Sequence, residues 1–198
     1  MAKPSWATTT PSSGSGNGTV NVSGSVHTGR VQRTGSLTFK ATDVTDVSVA
    51  MAEEAKPEFV SIENVSASKG GGNVTVTGTS NSSKLTFALG TGSLVISLPN
   101  TYSAGGTGTT NGATIAGDPG ASAQFSFSLV ISVPANTTTG ALTKTVTVTA
   151  NGGQQATSTI SQAAGDPTLS VTPTSITLTA EGTAVSVTVT SNTNWTVE

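Results

Sequence analysis

The side chains able to do chemistry are few and poorly grouped. His27 is the only histidine, and no cysteine is present. A hydrolytic triad needs a base beside a nucleophile and an orienting acid, and the stretch Thr28-Gly29-Arg30 supplies no nucleophile elbow for His27. It reads as a loop or strand-end histidine. Asp43 and Asp46 stand three apart, with Glu53-Glu54 following. A calcium loop needs denser oxygen ligands with glycine at the bend, and a paired-carboxylate hydrolase needs a cleft, so these read as solvated carboxylates. Asp118-Pro119-Gly120 and Asp166-Pro167 are turn initiators. Gly70-Gly71-Gly72 precedes a strand pattern, so no helix N-terminus is expected there to cradle phosphate. The expectation is a protein that is not an enzyme, without a cofactor or a metal site.

Aromatic rings are the remaining candidates. The chain has two Trp, one Tyr and five Phe. Exposed rings stack on sugars, and Trp6, Tyr102 and Trp195 are the candidate glycan contacts. The competing reading makes Trp6 and Trp195 core plugs beside a strand and packs Tyr102 at the mouth of a long loop. Asn17-Gly18-Thr19 and Asn136-Thr137-Thr138 have the form of glycosylation acceptors but follow from an Asn/Thr-rich composition.

Composition narrows the partners. Charged residues are 9% of the 198, with eight Lys plus Arg against ten Asp plus Glu, a formal net charge of −2. No basic stripe exists to hold nucleic acid, and apolar runs are too short to span a bilayer as helices, so neither nucleic acid nor membrane is an expected partner. The residues after Met1 lack the apolar core of a secretory leader. Low charge with abundant Val and Thr favours folded β-structure over disorder.

The elements that would position any site alternate with period two. Thr19–Val22, Ser36–Phe39, Val74–Thr77, Leu85–Leu89, Leu94–Leu98, Phe125–Ile131, Thr143–Thr149, Ser175–Thr179 and Val185–Val189 are predicted strands, separated by glycine-rich turns. Ala50–Lys56 has a helical composition but is only about two turns long, marginal in water; helix or linker, it ends at Pro57. Ser103–Ala123 is a Gly/Thr/Ser-rich insertion, read as a mobile hairpin or loop, with a contact loop as the alternative.

The chain also repeats itself. Val74, Val76, Ser80 and Asn81 return at one constant offset as Val185, Val187, Ser191 and Asn192, and Thr28-Gly29 returns at the same offset as Thr139-Gly140. Leu85 of the middle module stands where the flanking modules have Trp6 and Trp195. A partial module over 1–56, a complete one over 57–165 and the first half of another over 166–198 follow, an array of β-modules. Half a sandwich exposes its sheet and leaves strand edges open. The terminal segments are therefore expected to obtain strands from each other, from a neighbouring subunit or from a longer chain.

Two stretches carry a resemblance. Leu169-Ser170-Val171-Thr172-Pro173, Ile176-Thr177-Leu178, Val185-Ser186-Val187 and Ser191-Asn192 leading to Trp195-Thr196-Val197 resemble the opening half of a BACON domain. Thr139-Gly140, Lys144–Val148, Gly152-Gly153 and Thr159–Gln162 resemble its closing half. The segment from Ser5-Trp6 through Arg33-Thr34-Gly35 is similar to the start of capsid-associated proteins (head fibre or decoration proteins) of Bacteroides-infecting tailed phages. The resemblance implies an all-β fold of tandem Ig-like (BACON-like) β-sandwich modules with incomplete terminal modules. It implies a structural virion protein on the capsid surface, docked through residues 1–56 onto the major capsid protein or other virion proteins. A homo-oligomer and weak adhesion to glycans would accompany that role. The alternative is a carbohydrate-binding BACON-type module of a secreted Bacteroidetes glycan-utilisation protein, extracellular or at the cell surface.

Overall fold

Valine and threonine alternate through most of the chain, and a half-buried pleated strand is what such residues fill best. The structure, a computed structural model, describes residues 3–198 and is all-β, with fifteen strands among those residues. The largest core lies within residues 57–165. One sheet has the order β10-β9-β11-β7-β5, made by β5 (Val60–Ile62), β7 (Gly72–Ser80), β9 (Thr101–Ala104), β10 (Thr107–Thr110) and β11 (Phe125–Val133). The facing sheet has the order β6-β13-β12-β8, made by β6 (Val65–Ala67), β8 (Leu85–Leu89), β12 (Leu142–Ala150) and β13 (Gln155–Gln162). β6 runs parallel to β13, and the other pairings are antiparallel. Taking β5 as strand A and setting aside the edge strands β10 and β6, the remaining strands follow the orders A-B-E-D and C-F-G of a constant-type immunoglobulin sandwich.

Every second residue of β11 points into this sandwich: Phe125, Phe127, Leu129, Ile131 and Val133 are all buried. They meet Val76 from their own sheet and Leu85, Phe87, Val146, Val148 and Ile160 from the facing one. Burying each such side chain stabilises the fold by roughly 1.5–3 kcal/mol, and Phe87 adds edge-to-face contacts with Phe127 and Tyr102.

The flanking pieces are thinner. Before the sandwich, β1 (Ala7–Thr10) pairs with β2 (Asn21–Gly24), and β3 (Arg33–Phe39) with β4 (Val47–Glu53). After it, β14 (Leu169–Thr172) pairs with β15 (Thr188–Ser191). Among the described apolar residues of the first piece, only Ala7 and Leu37 are fully buried.

Several expectations change here. Ala50–Lys56 is not helical, because Val47–Glu53 pairs along its whole length with β3. Leu94–Leu98 keeps its alternation, with Leu94 buried and Val95 exposed, but joins no sheet. Instead Leu94 N–H donates to Thr143 O at 2.9 Å, so the segment crosses β12 without forming a ladder. Ser175–Thr179 is not a strand, and the strand expected over Val185–Val189 forms only from Thr188. The insertion begins as a hairpin, β9 to β10, turning on Gly105 and Gly106, both with positive φ. Its next part is anchored by Ile115, which is buried.

Candidate assembly interface

The repeat places one asparagine at the end of β7 and another at the end of β15. Asn81 is fully buried: its Oδ1 accepts from Phe59 N at 3.0 Å, and its Nδ2 faces Thr28 O, Lys56 O and Pro57 O at 3.2–3.3 Å. Ser80 Oγ donates to Phe59 O at 2.7 Å. Asn192 does the same after β15: its Oδ1 accepts from Thr168 N at 2.8 Å, its Nδ2 donates to Thr137 O and Asp166 O at 2.8 and 2.9 Å, and Ser191 Oγ donates to Thr168 O at 2.8 Å. Each asparagine ties the entry of its own first strand to a loop of the preceding piece. A side-chain amide suits this task because it both donates and accepts.

These contacts reset the register of the repeat. The asparagines reach Thr28 and Thr137 in the partner loops, so Thr28 corresponds to Thr137 and not to Thr139. Lys56 N donates to Gly29 O, and one repeat later Gly165 N donates to Thr138 O. The pairs Arg33 with Glu53 and Phe39 with Val47 become Leu142 with Gln162 and Val148 with Ala156, at the same shortened offset. The longer offset read from the sequence survives only from β7 to β15, where Ile62 opposite Gly78 matches Val171 opposite Val189.

The same correspondence identifies the strands of the flanking pieces. β3 and β4 take the places of β12 and β13, β2 that of the end of β11, and β14 and β15 those of β5 and β7. Trp6 is therefore not at the counterpart of Leu85 on β8, as the repeat suggested: it immediately precedes β1, which pairs with β2, whereas β8 pairs with β12. A Cβ on Gly35 would lie 2.2 Å from Pro4 Cγ, so the chain entering β1 crosses β3 closely. The chain entering β9 crosses β12 in the same way. This puts β1 on the side of β2 that β9 occupies on β11.

The first junction has a further clamp. Arg30 donates to Asn81 O at 2.5 Å, pairs with Asp118 and lies 3.6 Å from Glu58. Its backbone N–H reaches Gly120 O at 2.9 Å, and Val31 N–H reaches Ala121 O at 2.8 Å. The insertion is thus the dock for residues 28–31, with Gln124 N donating to Thr28 Oγ1 at 2.9 Å. At the second junction Lys69 pairs with Asp166 at 2.7 Å on an exposed surface.

The residues singled out for chemistry are scattered. His27 Nε2 donates to Val31 O at 2.8 Å, holding the junction loop where Asn136 Nδ2 donates to Gly140 O at 2.8 Å one repeat later. Asp46 pairs with Lys40 at 3.0 Å and Glu53 with Arg33. Tyr102 is a core residue, with its ring against Phe87, so it offers no face to a sugar. Burial raises its pKa above the usual 10.0. Trp6 is half-buried, with the Arg33 guanidinium 4.8 Å from its ring centroid. Trp195 is 50% exposed and lies in irregular chain beyond β15. Nothing gathers the three rings into one platform.

What the flanking pieces present instead is apolar surface. Val22, Phe39, Val47 and Val49 are exposed on the first, and Leu169, Val171, Val185, Val187, Trp195 and Val197 on the last. Val22, Phe39 and Val47 stand where the complete sandwich has Ile131, Val148 and Ala156 against its core, and Val185 and Val187 where it has Val74 and Val76. Of these, Phe39 lines a groove of about 700 Å3 in the first piece, together with Thr9, Val20, Leu37, Lys3 and Lys40 among others.

In comparisons with known proteins, no family model matches this chain, and no curated protein matches it significantly.

Proposed function

We propose that this chain is a structural assembly protein built as a tandem array of Ig-like modules, serving on a phage capsid as a head fibre or decoration protein. The observation that carries the reading is the repeated clasp: Asn81 and Asn192 make matching bonds at two junctions, so successive modules are joined by one rule. A fixed junction gives a stiff projecting rod, which suits display and not turnover. Residues 1–56 anchor the protein to the major capsid protein or another virion protein. The virion assignment itself draws on the BACON-like and phage-like sequence resemblance. Mass spectrometry of purified virions tests it: the chain is expected among the head proteins, and its absence there ends the assignment.

A second reading, a glycan-binding module, draws on the half-exposed ring of Trp195. Titration with host glycans against Trp195→Ala and Trp6→Ala variants tests it. An unchanged response in both variants removes the rings from any sugar contact.

A further inference from the structure

The two flanking pieces are complementary parts of one sandwich. Among the described residues, the first supplies counterparts of β9, β11, β12 and β13, and the last supplies counterparts of β5 and β7. Trp195 and Val197 then follow on alternate positions after the clasp, as Leu85 and Phe87 follow Asn81 at the start of β8, with a slightly shorter turn. What one piece leaves open, the other carries.

Within residues 1–198 they do not meet. The first piece docks where β7 ends, at Ser80 and Asn81, and the last where β7 begins, near Lys69 and Asn136. β7 is nine residues long, which separates these poles by about 27 Å of strand.

We propose that the C-terminal segment of one copy completes the N-terminal half-sandwich of a second copy, head to tail. This rests on reading the chain as an assembling array, and it names the partner: another copy of this chain. The complete sandwich sets the register. Because Val74 lies opposite Ile131 and Val76 opposite Leu129, Val185 of one copy lies opposite Val22 of the next, and Val187 opposite Val20. β15, extended back to Val185, enters antiparallel on the free side of β2, its valines filling the groove over Leu37 and Phe39. Trp195 and Val197 run beside β3. Charge agrees with this seating. The groove is lined by Lys3 and by Lys40, which also pairs with Asp46, whereas residues 166–198 contain no cation, and Glu181 and Glu198 are the carboxylates left there once Asp166 pairs with Lys69. With one donor and one acceptor within residues 1–198, the contact is heterologous, and its repetition makes a filament, or a ring if the rotation closes.

Because the sequence has no cysteine, the test can be made by cross-linking the intact chain. Directly opposed residues in an antiparallel pair have Cα atoms about 4.5–5.5 Å apart, within disulfide range. An oxidised mixture of Val22→Cys and Val185→Cys chains is expected to give mixed dimers, and Val22→Cys with Ser186→Cys, whose side chain faces away from the groove, far fewer. Sedimentation of the unaltered chain is expected to show dimers and longer species growing with concentration. Val187→Asp should weaken that association about tenfold or more. A chain that stays monomeric at every concentration, or Val22→Cys chains that cross-link to each other in preference to Val185→Cys, overturns the proposal. Isolated copies found on virions would keep the structural reading and discard this one.

Discussion

Asn81 faces Thr28 O at 3.3 Å, and Asn192 faces Thr137 O at 2.8 Å: one amide in one role at each of two junctions. The step along the chain from Thr28 to Thr137 is shorter than the step from Asn81 to Asn192, so the loops between them absorbed a change in length while the bond was kept. What is held constant is the geometry between consecutive modules.

Removing that amide should loosen the first junction. Asn81→Ala leaves Phe59 N–H and the carbonyls of Thr28, Lys56 and Pro57 short of a partner at a partly buried junction. A loss of roughly 1–3 kcal/mol is expected. Limited proteolysis should then cut near residues 54–58 faster than in the parent chain, with the 57–165 sandwich surviving.

The Arg30 clamp predicts an asymmetry. Arg30→Ala removes contacts to Asn81 O, Glu58 and Asp118, while Thr139, its counterpart one repeat later, makes no such clamp. Amide exchange at Arg30 and Val31 should quicken by about tenfold, for a partly exposed cluster worth roughly 1 kcal/mol. Exchange at Gly165, whose N–H donates to Thr138 O, should stay unchanged.

Tyr102 predicts a loss of stability in alkali. Its folded-state pKa is raised by burial above the ordinary 10.0, because the fold favours the neutral phenol. That contribution is fully present below the ordinary phenol value and is lost as pH rises through the folded one. Since this is the only tyrosine, its ultraviolet titration is unambiguous. The phenolate should form late and together with unfolding, and Tyr102→Phe should flatten the alkaline limb of the stability curve.

Equivalent positions should differ in cost. Ile131 is fully buried and Val22 is 46% exposed, though each occupies the same place in its module. Ile131→Ala should destabilise the sandwich by roughly 2–5 kcal/mol. Val22→Ala in dilute protein should cost under about 1 kcal/mol, as for an exposed site. Denaturant melts read both.

The alternation of Phe125, Phe127, Leu129 and Ile131 was sufficient to place a buried strand, because neighbouring side chains on a pleat face opposite ways whatever lies around them. The Ser-Asn pair after each strand of the repeat was equally visible, although its role as a clasp was not. Local pattern failed where partners decided the outcome. Ala50–Glu53 has helix-forming residues, yet β3 draws it into a ladder; Leu94–Leu98 alternates like a strand, yet finds no edge to bond. Arg30 and Asp118 lie 88 positions apart, and no spacing rule joins them. The sequence by itself determined the β-class, the inward-facing residues and the existence of a repeat, all of which follow from local sterics and period-two burial. Only the tertiary structure decided the true register of that repeat, the burial of Tyr102 and the separation of the two open faces, because these depend on which distant strands reach each other first across two sheets.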